Sequence, residues 1–457
     1  MLTRIEISGF KSYVDLALDL PPFMVVLGPN ASGKSNLFDA IRLLSRVADL
    51  DLRSAIVGDP KRAWDGLRGE PHELFHRGSE GAYGELMTFA VEVLLAPEVT
   101  DPWGATTTLQ QTRLRYELHI ARRQDPNGFE RLVVVHEAVK PLAAKDDRWA
   151  KGATKAFKDR HLSYGRKSPY LDTTVEDGKE TFEIHQDGHA GRKRSALAAE
   201  ATVLSSITNT EFPHLFALRE ELRSWRFLQV DPAALRRPSS IIGSRELLDP
   251  DGGNLSSVLA RIRAETRGEH DDQGALADIS ADLATLVPGV VSITVREDTA
   301  ARRHRLYVRM RDGHDYASEV VSDGTLRVLA LLTMLHDPNF RGFICVEEPE
   351  NGIHPMRLKA LIERLRQLVT DPRRAEDQGP LAQILMNSHS PVVLSALDDE
   401  QMVFADVVTV AGKSLAPTPR TRLRRVVGKD QGELMPSSET VSKFEVDRFL
   451  NTVTGVA

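Results

Sequence analysis

The chain has 457 residues, 41% of them hydrophobic and 27% charged, with a net charge of −6. That is a globular composition with room for two packed lobes, and its acidic balance excludes a global attraction to nucleic acid, so any such contact has to be a local patch. The single cysteine, Cys345, excludes an intrachain disulfide; with no signal peptide and no apolar run of membrane-spanning length, a cytoplasmic location and no membrane contact are expected.

Residues 2–20 alternate apolar and polar side chains on either side of Gly9-Phe10-Lys11-Ser12, which predicts two paired strands. Phe23 to Leu27 is short, apolar and partly β-branched, as a buried strand should be. Gly28-Pro29-Asn30-Ala31-Ser32-Gly33-Lys34-Ser35 then fits G-x-x-x-x-G-K-[ST], followed by Asn36 and a helix-spaced run from Leu37 to Leu44. A strand before and a helix after is the setting a phosphate-binding P-loop requires. The chemistry explains the residue types. Glycines let the backbone curl inward, and the amides of the loop and helix N-terminus converge on phosphate oxygens. Lys34 supplies a positive charge for the β and γ phosphates of ATP, and the Ser35 hydroxyl is placed to ligate Mg²⁺.

Residues 50–80 are rich in Gly, Pro and charge and read as a surface excursion. Alternation in Leu86 to Leu95, Arg113 to Ala121 and Leu132 to Ala138 predicts an antiparallel meander. Residues 145–195 mix basic clusters with acids and read as solvated loop. Helical spacing returns in 196–223 and 254–287, on either side of a strand and turn at Arg226 to Pro232. No sustained apolar heptad runs through the middle, so long coiled-coil arms are not expected.

The second informative cluster begins with Ser322-Asp323-Gly324, which opens a helix. A hydroxyl, a glycine and a helix N-terminus make an anion site, and equally a plain helix cap. The apolar strand Phe343 to Val346 ends in Glu347-Glu348-Pro349. Acids ending a buried strand are the Walker B pattern: Glu347 would hold Mg²⁺ and Glu348 would act as general base, unless both merely cap the strand. Another apolar strand, Gln383 to Met386, ends in Ser388-His389-Ser390, where the imidazole could bond the γ-phosphate or serve as an ordinary loop histidine. Two or three short strands and a helix near 441–450 close the chain. Arg420, Arg422, Arg424, Arg425 and Lys429 form a basic run suited to a phosphate backbone or to a solvated strand face.

The order of P-loop, Ser-x-Gly, Glu-Glu-Pro and Ser-His-Ser resembles the ABC-type ATPase heads of the RecF and structural-maintenance-of-chromosomes group. It is most similar to compact ATPases related to the overcoming-lysogenization-defect family. Gly9-Phe10-Lys11-Ser12, Asp251-Gly252-Gly253-Asn254-Leu255 and Glu347-Glu348-Pro349-Glu350-Asn351-Gly352-Ile353-His354-Pro355 carry that likeness. The resemblance implies an α/β P-loop NTPase fold with an antiparallel β subdomain and a helical insert. It divides the chain into an N-terminal ATPase lobe (1–140), a mainly helical and loop insert (141–290) and a C-terminal ATPase lobe (291–457). It implies ATP and Mg²⁺ as cofactors and catalytic roles for Lys34, Glu348 and His389. Ser322 and Gly324 would close in trans on the nucleotide of a second copy, in a homodimer or higher homo-oligomer. Asp323 stands where a second glycine is commoner. Gln229 is the candidate for the glutamine that such heads place near Mg²⁺. DNA and a separate effector protein, a nuclease or a toxin, are the candidate partners, in DNA repair or anti-phage defence. A nucleotide-gated scaffold with little turnover is the rival reading; a transporter subunit is disfavoured by the large insert between P-loop and signature.

Overall fold

The computed structural model describes residues 1–59, 66–78, 81–125, 127–176, 179–186, 189–241, 247–269, 271–374, 380–410, 418–428 and 439–454. Its centre is a seven-stranded sheet in the order Arg226–Leu228, Gly342–Glu347, Ala382–Ser388, Phe23–Leu27, Met402–Val410, Thr418–Val427 and Thr440–Ser442. The first five strands are parallel to their neighbours, and Thr418–Val427 returns antiparallel to Met402–Val410. Strand periodicity divides the core. Met24, Val26, Phe343, Cys345 and Leu385 pack into one hydrophobic cluster. Phe23, Val25, Leu27, Ile344, Val346, Ile384 and Met386 pack into the other. Both faces are buried, which is why these strands are apolar throughout.

On the first face lies the helix Lys34–Val47, whose Leu37, Phe38, Ile41 and Leu44 recur at helical spacing and are buried. Beyond it an eight-stranded antiparallel sheet runs in the order His189–Ser195, Lys179–Gln186, Leu171–Glu176, Glu130–Pro141, Arg113–Gln124, Leu86–Leu94, Leu2–Ser8 and Leu16–Asp19. The second face is covered by the helices Leu255–Thr266, Ala275–Leu286, Asp323–Leu335 and Pro355–Arg366, with a four-stranded sheet of Ser239–Ser240, Arg303–Met310, Val290–Asp298 and Asp315–Ala317.

The expected hairpin and meander are both present, joined in one sheet. Residues 145–195 differ from the solvated loop expected of them. They hold the helix Lys155–His161 and the three outer strands of the antiparallel sheet, with Phe182 and Ile184 in the core. Their outward positions carry the interleaved charges, such as Glu183 paired with Lys193, and that masked the alternation. Residues 50–80 are not wholly surface either, since Leu74 and Phe75 are buried. The strand Arg226–Leu228 appears where expected, but the helical spacing before it becomes a short 3-10 turn at Leu204–Ser206 and an α-helix from Pro213 to Ser224. The closing strands are longer than expected, nine and ten residues for the first two. Residues 375–379 of the loop after Asp371, and Lys429 of the basic run, lie outside the described residues.

Candidate functional site

The carboxyl end of the parallel sheet holds a cleft of about 250 Å³ lined by Asn30 to Asn36, Ser12, Glu348, Val407, Pro419, Arg420 and Thr421. The loop between Leu27 and Lys34 is wrapped tightly. Gly33 sits at φ 93°, where L side chains are strained, and a Cβ there would lie 1.9 Å from Thr421 Oγ1. Ala31 is also left-handed, at φ 61°. Gly28 is buried and its N–H donates to the Ser388 carbonyl at 3.3 Å, which fastens the loop's first residue to the neighbouring strand. Pro29 borders the loop through its carbonyl. Lys34 Nζ donates to the carbonyls of Gly28 (2.7 Å) and Pro29 (2.8 Å), so the cation is held over the loop that would surround a phosphate. Burial lowers its pKa, against the opposing pull of Glu348 and Glu350. The buried Ser32 hydroxyl has no hydrogen-bond partner among the described residues. An orphaned buried hydroxyl in a loop that lines a cleft fits a site shaped for a ligand.

Three elements brace this loop. Ser12 Oγ accepts from Asn36 Nδ2 at 2.7 Å and lies 2.7 Å from Thr421 Oγ1, which is itself 3.0 Å from the Ser32 carbonyl. Tyr13 OH donates to the Gly33 carbonyl at 3.1 Å. Lys11 Nζ donates to Asp39 on the P-loop helix at 2.7 Å. The Gly9-Phe10-Lys11-Ser12 turn thus clamps the first turn of that helix, and Thr421 clamps it from the other side.

The acids part company. Glu348 lines the cleft with Lys34 and Ser35. Its backbone is left-handed, φ 45°, and its N–H donates to Asn387 Oδ1 at 2.7 Å. Asn351 Nδ2 donates to Glu348 Oε2 at 2.9 Å, which orients the carboxylate. Glu347 is not among the cleft's lining residues. Arg68 Nη2 meets both its oxygens, at 2.7 and 2.6 Å, and Arg42 Nη2 lies 3.9 Å away. Glu347, the expected metal ligand, is thus paired with Arg68. A third acid, Glu350, was not singled out by the sequence reading. Its Oε1 accepts from Ser388 Oγ and the His389 N–H, both at 2.7 Å, and lies 3.1 Å from His389 Nδ1. It is nearly buried and fixes the histidine's position; the Glu-Glu-Pro-Glu spacing was the signal for it. His389 directly follows the strand paired with the P-loop strand, Ser388 opposite Leu27, though it does not line the cleft itself.

The remaining expected residues lie elsewhere. Ser322 caps the helix Asp323–Leu335, its Oγ accepting from the Thr325 N–H at 3.3 Å. Asp323 is ion-paired with Arg236. A Cβ on Gly324 would lie 2.0 Å from the Gly352 carbonyl, so the signature packs against the loop that begins at Glu348. Neither Ser322 nor Gly324 lines the cleft of its own chain. Gln229 follows the strand beside Gly342–Glu347, but it is exposed and outside the cleft. Within the basic run, Arg422 and Arg424 are paired with Asp406 and Arg425 with Asp19, so they present no free positive stripe. Among the described residues no cluster of three or more His, Cys, Asp and Glu could hold a metal. A Mg²⁺ site needs fewer, because it takes one or two protein oxygens with water and phosphate oxygens for the rest. Ser35 in the cleft fits that donor set; Glu347 fits only on leaving Arg68. No helix among the described residues is long and apolar enough to cross a membrane.

The family described as "AAA domain, putative AbiEii toxin, Type IV TA system" matches residues 23–84 and 154–395, more than half of the chain. The chromosome partition protein Smc of Methanocaldococcus jannaschii is 54% identical over 41 residues, 9% of this chain and 4% of that protein. The chain therefore spans only a small part of the curated relative it matches. Among solved structures, an Smc head bound to the C-winged helix domain of ScpA is 12% identical with a TM-score of 0.47, over 92% of this chain and 97% of that one. The Smc head domain with an extended coiled coil bound to the C-terminal domain of ScpA, derived from Pyrococcus furiosus, is 12% identical with a TM-score of 0.46, over 93% and 96%. A P-loop between a buried parallel strand and its helix, an acid-ended strand in the same sheet and a family match over more than half of the chain give one answer: the chain belongs to this AAA-domain family.

Proposed function

We propose that the protein binds ATP with Mg²⁺ and hydrolyses it, and that two copies close head to head around the nucleotide. One observation carries this: Lys34, Ser35 and Glu348, from segments more than 300 residues apart in the chain, line one cleft. The loop amides and Lys34 neutralise the phosphates, and Lys34 gives up the Gly28 and Pro29 carbonyls to do so. Glu348, oriented by Asn351 and Asn387, takes the proton of the attacking water. His389, held by Glu350, stands beside the loop's first residue, where it bonds the terminal phosphate. Ser35, and Glu347 once Arg68 releases it, would hold the magnesium ion, which would supply charge neutralisation of the phosphates.

The dimer rests on the signature. Ser322 and Gly324 lie outside their own chain's cleft, and the exposed Val320 and Met356 flank the Gly324–Gly352 contact by chain position. Large exposed apolar side chains around a glycine-lined helix N-terminus suit a second copy. A role in DNA repair or anti-phage defence, and kinship with the overcoming-lysogenization-defect group, follow from the motif resemblance. The toxin–antitoxin wording of the family description suits the defence arm and a separate effector. A second reading, a nucleotide-gated scaffold with little turnover, draws on the capture of Glu347 by Arg68 and Arg42.

The test is Glu348→Gln. Turnover should fall by about 10²–10⁴-fold, the usual worth of a general base. Nucleotide binding should survive, and an ATP-dependent dimer should accumulate on size exclusion. Lys34→Ala should abolish binding. Unchanged turnover in Glu348→Gln would refute the mechanism and leave the scaffold reading.

A further inference from the structure

The C-terminal hairpin supplies a cation to the cleft that nothing above has used. Thr418–Val427 pairs antiparallel with Met402–Val410, with Val407 opposite Thr421 and Val408 opposite Arg420. Val407, Pro419, Arg420 and Thr421 line the same cleft as the P-loop. The four arginines of this strand are not equivalent. Arg422, Arg424 and Arg425 each meet a carboxylate, from Asp406 or Asp19. Arg420 meets none among the described residues, and its Nε is buried without a hydrogen-bond partner. A guanidinium with five donors and an orphaned buried nitrogen, set beside a phosphate loop, calls for an anionic acceptor.

The direction of the cleft says which anion. Glu348 and Lys34 mark the end where the β and γ phosphates lie. In the central sheet the hairpin lies on the other side of the P-loop strand from the strand that ends at Glu347, and Thr421 fixes it there through Ser12 to Asn36 and directly to the Ser32 carbonyl. A nucleotide with its terminal phosphate near Glu348 must pass its α-phosphate and nucleoside along the hairpin. We propose that Arg420 binds the α-phosphate and ribose, and that Val407, 45% exposed, and Pro419 give the base its apolar surface. The hairpin is thus the nucleoside wall of the site. This inference rests on the nucleotide-binding reading above.

Binding of ATP, ADP and inorganic tripolyphosphate to wild type, Arg420→Ala, Arg420→Lys and Arg422→Ala tests it. Arg420→Ala should weaken ATP and ADP alike by roughly tenfold to a hundredfold, the range for a hydrogen bond to a charged group. Tripolyphosphate, which lacks a nucleoside, should lose much less. Arg420→Lys should restore part of the loss. Arg422→Ala, which removes a neighbour engaged with Asp406, should bind as wild type and shows that the hairpin tolerates a lost arginine. Weakening of ATP but not ADP would put Arg420 at the γ-phosphate and overturn the assignment, as would equal binding by Arg420→Ala and wild type. Wild type that bound no nucleotide would instead overturn the nucleotide-binding reading itself.

Discussion

Glu348 is the residue where backbone and chemistry meet. A glutamate at φ 45° stores strain of about 1–3 kcal/mol, and such strain persists only where neighbours enforce it. Asn387 Oδ1 is the enforcing group, accepting the Glu348 N–H from the fully buried end of the next strand. Asn387→Ala should therefore let the Glu348 peptide relax. The expected result is a loss of hydrolysis far larger than the loss of stability, which should stay near 1–2 kcal/mol by denaturant unfolding. Equal hydrolysis in the two proteins would remove Asn387 from the catalytic arrangement. One residue earlier, Arg68 holds Glu347, the proposed metal ligand. Its side chain is 43% exposed, so the pair is worth no more than about 1 kcal/mol after screening, or up to about fivefold in affinity. Arg68→Ala should lower, by up to that factor, the Mg²⁺ concentration needed for half-maximal binding of a fluorescent nucleotide. No shift, or a rise, would mean that Glu347 stays out of the metal's reach.

At the scale of elements, the loop from Glu348 to His354 links the cleft to the helix Asp323–Leu335. It begins at the cleft, buries Glu350 under His389 and ends with Gly352 against Gly324 before His354 caps the next helix. Gly324→Ala would place a methyl group 2.0 Å from the Gly352 carbonyl. Backbone cannot yield as a side-chain tip can, so the loop must shift. The substitution should cost about 1–3 kcal/mol by denaturant unfolding, and the ATP-dependent dimer should be lost with it; an unaltered midpoint would mean the two loops are not in contact. The sequence made the loop legible only in part. Its two leading acids follow an apolar strand, a local pattern. Glu350 was missed because its partners, Ser388 and His389, are 38 and 39 residues away.

Across the whole molecule, burial of charge sets a pH signature. Glu137, wholly buried in the antiparallel subdomain, accepts from the Val203 and Leu204 N–H groups and from Tyr116 OH. Burial nonetheless pushes its pKa up to about 7. The folded chain then keeps a proton that the unfolded chain releases near its ordinary value of 4.5, so this residue's contribution to stability declines as pH rises from about 4.5 to about 7. Relative to Glu137→Gln, which cannot titrate, wild type should gain about 1–3 kcal/mol on acidification from pH 7 to pH 5. Parallel stability curves for the two proteins would mean that Glu137 is ionised in the fold. The effect belongs to the molecule because the carboxylate ties the meander to the residues leading to Pro213–Ser224, which in turn packs over the P-loop helix.

By itself the sequence determined the P-loop with its strand and helix, the acid-ended strand, the Ser-His turn and the helix that opens at Ser322. Each is written in residues within a dozen positions of one another, where spacing and backbone preference act directly. Only the tertiary structure decided that Arg68 holds Glu347 across 279 residues, that Thr421 closes on Ser12 across 409, and that Arg420, alone among the described residues of its run, lines the cleft. Those contacts depend on which strands pair and which loops meet, and burial, not local pattern, selects them.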